Sequence, residues 1–198
     1  MRAPRLRRWL PAVVMAGGAA LSLPPLRPLI EQSMVWHMLV QMPLLALGGW
    51  LVAGHCWARQ PPALLERFNR FGLTGFIVTT LIAGYWMIPS TIDRAVVMPG
   101  TDMAKIVTLW LCGAALRHSM QRAPLLVQLF FVGYTLPMMV WLGLYYATTD
   151  LRLCNAYSLE SQLAAGKGLV VLSSAAGAVW LYYGAAGRFI SAVWRPVK

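Results

Sequence analysis

The chain has 198 residues, of which 59% are apolar and only 12% charged, and its mean hydropathy is +0.60. A typical soluble domain is about half apolar and about a quarter charged, so this composition excludes a soluble globule. The three cysteines, Cys56, Cys112 and Cys154, are too few and too scattered to staple a fold or to form a CxxC redox pair, and the net charge of +11 suits nucleic acid only if membrane topology leaves it unexplained.

Apolar runs near the length of a hydrocarbon core recur along the whole sequence, which predicts an all-α polytopic transmembrane bundle of five or six spans, one membrane domain over residues 1–198. In chain order the candidates are residues 9–23, 34–57, 71–89, 104–120, 124–147 and 168–189. At 1.5 Å per residue the first covers roughly 22 Å, short of the ~30 Å core. Its flanks, Arg5, Arg7 and Arg8 before and Gly18-Ala19-Ala20 near its end, also fit a signal peptide, but a retained helix is the expectation because no polar segment that would need exporting follows. The fourth is bounded by Lys105 at one end and Arg117 and His118 at the other, all able to snorkel.

Basic residues set the parity. With six spans and a cytoplasmic N-terminus, twelve of the 17 lie inside: Arg2, Arg5, Arg7, Arg8, Arg59, Arg67, Arg70, Arg117, Arg122, Arg188, Arg195 and Lys198. The outer segments hold Arg27, Arg94, Lys105, Arg152 and Lys167 with Glu31, Asp93, Asp102, Asp150 and Glu160, five of the six acids. Orientation in a bacterial-type inner membrane, both termini cytoplasmic, therefore accounts for the charge, and a nucleic-acid partner is not expected. Pro43 and Pro137 should kink their helices, each removing a donor and crowding the carbonyl four residues earlier. The small residues Ser173–Ala178 and Gly184–Gly187 should let a neighbouring helix approach closely.

No Walker loop, dinucleotide fingerprint, GxSxG elbow or HExxH motif occurs, so an enzyme is not expected. Proton and ion pathways need ionisable groups in mid-span, where only His37 qualifies, which argues against a transporter or pump. Soft ligands are unevenly spread instead. Eight of the 11 methionines, Met34, Met38, Met42, Met87, Met98, Met103, Met138 and Met139, fall in the outer half or outer loops. Met34, His37, Met38, Gln41 and Leu45 follow the spacing of one helix face, with Met42 at its edge. Thioether plus imidazole suits Cu(I), although methionine is first of all a gap-filler in apolar packing. An imidazole inside a bilayer must bond something: a group on a neighbouring helix, which is the commonest outcome, or a metal or haem b iron. A haem would need a second axial group, and only methionines lie at similar depth. His55, beside Cys56 and Trp57, and His118 read as interfacial anchors. In the outer loops Asp–Arg alternation favours local pairing, and Cys154 is expected to be buried.

The segment Trp36-His37-Met38-Leu39-Val40-Gln41-Met42-Pro43-Leu44-Leu45 resembles the His-Met-x-x-His stretch, followed by an apolar Pro-Leu-Leu run, of CtaG-type cytochrome c oxidase assembly factors. Trp86-Met87-Ile88-Pro89-Ser90-Thr91-Ile92-Asp93 is similar to that family's Trp-His-x-Pro-x-x-Tyr-Asp exit. The likeness covers about a third of the chain. It implies a membrane accessory protein for respiratory copper-enzyme biogenesis, with an oxidase subunit or larger redox complex as partner; of its ligands only His37 carries over, with Met87 able to bind Cu(I) in place of a histidine, and together with Met34 and Met38 from the helix-face spacing they make the candidate Cu(I) site near the outer face. Gln41 and Met87 stand where the family has its other histidines; the family also favours about seven spans. The alternatives are a non-catalytic structural subunit of a respiratory or other redox membrane complex, and a haem b-binding subunit with His37 as axial ligand.

Overall fold

The computed structural model describes residues 13, 14, 16–18, 20, 26–56 and 63–182. Among them the chain is helical and has no strand. The elements are α1 (Leu26–Glu31), a π-helical turn (Trp36–Gln41) running directly into α2 (Met42–Cys56), α3 (Ala63–Phe68), α4 (Leu73–Trp86), α5 (Pro89–Val97), α6 (Pro99–Arg122), α7 (Leu125–Thr148) and α8 (Leu159–Trp180). Three helices are long and apolar enough to cross a membrane: Trp36–Cys56, Leu125–Thr148 and Leu159–Trp180. A fourth span results if α4 and α5, bent by 72° at a short break, count as one. The expected five or six spans thus reduce, among the described residues, to three or four by length and composition. The segment 9–23 lies in large part outside them, but Gly18 is buried against Leu45 of α2.

Helix α6 is 24 residues long, about 36 Å at 1.5 Å per residue, and packs against both α2 and α4. It carries Asp102, Lys105, Arg117 and Arg122, more charge than any of the three candidate spans. Helices α7 and α8 form a second tight pair, and the π turn ties α1 and α8 to the first group. Both pairs are closed by glycines that the sequence reading did not single out. A Cβ on Gly49 would overlap the Trp110 carbonyl, and one on Gly113 the Ala46 carbonyl, so α2 and α6 touch backbone to backbone. Gly143 and Gly166 do the same for α7 and α8, each Cβ position falling within 2.8 Å of the other residue's carbonyl oxygen. At Gly177, on the expected small-residue face, the nearest atom is the flexible Leu136 Cδ1 at 3.1 Å; Gly184 and Gly187 lie outside the described residues.

The start of the last helix departs from expectation for a local reason. The last helix starts at Leu159 rather than at residue 168, because the Ser158 hydroxyl accepts from the Ser161 amide and caps a first turn whose Glu160 complements the N-terminal dipole. Pro43 does not break its helix. The turn before it widens, the Met42 amide reaching back to the His37 carbonyl, and the π turn gives way to α-helix at the proline. Pro137 likewise sits inside an unbroken α7. Helix α5 is the amphipathic element: Thr91, Ile92 and Ala95 are buried while Ser90 and Arg94 face outward.

Candidate functional site: a buried ion-paired cluster

At the end of the bundle where α6 begins, seven charged or polar side chains converge. Lys105, about one turn after Asp102 in α6, is fully buried, and its ammonium lies 2.7 Å from Asp102 Oδ1, 3.3 Å from Gln41 Oε1 and 2.9 Å from His37 Nε2. Arg27 of α1 approaches Asp102 Oδ2 at 3.9 Å, pairs with Glu31 through Nε at 2.9 Å, and donates from Nη2 to the carbonyls of Ala95 and Val96 that end α5. His37, also fully buried, meets the Tyr157 hydroxyl through Nδ1. The chain Glu31–Arg27–Asp102–Lys105–His37–Tyr157 therefore links α1, the π turn, α6 and the 149–158 loop. An ammonium paired with Asp102 can only donate, so Nε2 accepts and the ring proton sits on Nδ1, donated to Tyr157.

The 149–158 loop is held over this cluster by backbone bonds. Asp93 accepts from the amides of Asn155 and Ala156 at 2.9 and 3.0 Å, and Arg152 donates to the carbonyls of Cys154, Asn155 and Tyr157. Gln162 of α8 closes the loop from below, accepting from the Leu153 amide and donating to the Leu151 carbonyl. The expected local Asp–Arg pairing does not occur here: an irregular loop packed on a bundle has amides and carbonyls to satisfy, and these two side chains satisfy them. Burial pushes the Tyr157 hydroxyl upward, keeping it a neutral phenol, and pushes the Cys154 thiol up to about 12, with the Asp93 carboxylate adding to the effect. Cys154 is fully buried, as expected.

The residues expected to hold copper are distributed as follows. Met34 and Met38 lie in the hydrophobic core with Met42 and Leu45, on the same turns as His37. Met87 is half-buried at the C-cap of α4, where its carbonyl accepts from the Tyr146 hydroxyl; it is not part of that core cluster. The His37 lone pair that a metal would use faces the Lys105 ammonium. No group of three His, Cys, Asp or Glu residues spaced for a metal ion occurs among the described residues. Sequence reasoning placed Lys105 as a snorkelling end residue and missed Arg27, Asp102 and Tyr157. The Arg27–Glu31 and Asp102–Lys105 pairs are legible as i,i+4 and i,i+3 spacings, but their joining through His37 is not.

A second polar cluster sits at the opposite end. Asn69 accepts from the Gly75 amide at 2.9 Å and donates to Ser119 Oγ and to His118 Nδ1, both at 2.9 Å. His118 is therefore buried between α4 and α6 rather than anchored at an interface; His55 is exposed at the end of α2. Arg122 pairs with Glu66 beside it. Comparison of the chain with protein-family models, curated proteins and solved structures returns no match.

Proposed function

We propose that the chain is a non-catalytic accessory protein of a larger membrane complex in a bacterial-type inner membrane, with the buried cluster acting as a clasp that fixes the capped end of the bundle for a partner. In this reading α6, packed against α2 and α4, also crosses the bilayer. With the segment 9–23 and the broken α4–α5 pair the bundle reaches six spans, both termini cytoplasmic. The observation that carries the reading is the commitment of both His37 ring nitrogens, Nδ1 to Tyr157 and Nε2 to Lys105. An imidazole so engaged joins elements and leaves no lone pair for a cofactor. The likeness to CtaG-type factors makes a respiratory copper oxidase the first partner to test.

One observation favours a second reading, Cu(I) handling during oxidase maturation: Met34 and Met38 lie in one buried cluster beside His37, a soft environment that a copper ion would select if Lys105 withdrew. Metal analysis and an optical spectrum of the purified protein, with a mild-detergent pull-down, separate the two. The accessory reading expects neither bound copper nor a haem band, and recovery in fixed ratio with a mature complex that stays metallated when His37→Leu is introduced. Copper that copurifies with the parent and is lost on replacing Met34, His37 and Met38 by leucine would overturn it in favour of the second.

A further inference from the structure

Helices α4 and α7 both begin at the end of the bundle that carries Arg67, Arg70 and Arg122, and over their first turns they stand apart. Between them lies an open cleft of about 420 Å³. Its floor is the stacked pair Phe76 and Phe131, ring centroids 4.1 Å apart, and its walls include Ile77, Leu81 and Phe130. Thr80 adds no free polarity, because its hydroxyl is donated to the Phe76 carbonyl at 3.0 Å. The cleft accordingly fits hydrocarbon. On α4 its lining runs from Leu73 to Leu81, about 12 Å at 1.5 Å per residue, which is less than half of a ~30 Å core. A crossing helix would need a seam along the whole core; a lipid acyl chain needs one leaflet.

The mouth has the complementary chemistry. Arg67 and Arg70 are exposed, each guanidinium resting over its neighbouring ring, Phe68 at 5.9 Å and Phe71 at 5.4 Å, and both rings are themselves exposed. Glu66, the nearby acid, is taken by Arg122. Gly72, with φ +77°, ends this basic stretch in a turn that lies against Ser119 and Ala123, where α6 gives way to α7. The geometry points to a binding site for an anionic glycerophospholipid, one acyl chain lying in the α4–α7 cleft and the phosphate held by Arg67 and Arg70. Basic residues at the mouth of an interhelical cleft select headgroups by charge, and aromatic rings at that depth favour the same interface.

The test uses the full chain in phosphatidylcholine bilayers with small amounts of spin-labelled phosphatidylglycerol or spin-labelled phosphatidylcholine, reading the motionally restricted lipid by electron paramagnetic resonance. The expected selectivity for phosphatidylglycerol is roughly fivefold or more. Arg67→Gln with Arg70→Gln should bring the ratio towards one, and Thr80→Phe, which fills the cleft and leaves the arginines in place, should remove the same excess. Equal retention of the two lipids by the parent overturns the site, as does a preference that survives loss of both arginines or the filling of the cleft.

Discussion

Lys105 is where the energetics concentrate. A fully buried ammonium is costly unless its charge and all its donors are met, and here Asp102, Gln41 and His37 meet them. Removing one partner is worse than removing the pair. Lys105→Met should cost about 3–5 kcal/mol, towards the lower end because Arg27 stays near Asp102, while Lys105→Met with Asp102→Leu should recover much of that loss. Unfolding by denaturing detergent checks this, and an equal or larger loss in the double variant would show that the pair is not coupled. Tyr157→Phe should cost about 1 kcal/mol, and nitrogen chemical shifts should report His37 with its proton on Nδ1, as donation from Lys105 requires. Thiols give an independent reading of burial. Cys154, its thiol pushed up to about 12, should resist alkylation of the folded protein at pH 8, whereas the exposed Cys56 should react. Modification of Cys154 at a comparable rate would mean that the loop opens. His37 was legible in the sequence as a residue needing a partner. The identity of that partner was not, because Lys105 is 68 residues away and Tyr157 120.

Among the elements, helix proximity follows a few glycines. At Gly113 a single methyl would strike the Ala46 backbone, which cannot yield without moving α2, whereas at Gly177 it meets only a side-chain tip. Gly113→Ala should therefore cost about 1–3 kcal/mol and Gly177→Ala clearly less, measured by thermal unfolding in the same detergent. The reverse order would place the close approach on the wrong helix pair. Sequence reading favoured Gly177 because small residues cluster around it. Gly49 beside Gly48, and Gly113 before Ala114 and Ala115, are also small-residue positions, but nothing local says that they face each other. The start of α8 was legible in principle: Ser158 followed by Glu160 and Ser161 is a capping pattern, and the acid was read as loop instead.

For the whole molecule, the charge balance differs between the two ends of the bundle. Glu31, Asp93 and Asp102 at one end are offset by Arg27, Lys105 and Arg152, whereas Arg67, Arg70, Arg117 and Arg122 at the other face only Glu66. Such a bundle should sit across a bilayer with its basic end cytoplasmic. In a Cys56→Ser background, Ser158→Cys should label with an impermeant thiol reagent from the periplasmic side, and Arg70→Cys only after lysis. Labelling of both from one side would refute a transmembrane arrangement. The sequence by itself determined that the chain is helical and apolar enough for a membrane, and which segments carry the charge, because hydropathy and basic-residue counts are local sums. Tertiary structure alone decided which helices touch and that Lys105, His37, Asp102 and Arg27 form one cluster, since those contacts join positions far apart in the chain. It also decided that the methionine face is packed in the core. A helix face shows only which residues lie together, while its chemistry depends on what the opposite helix presents.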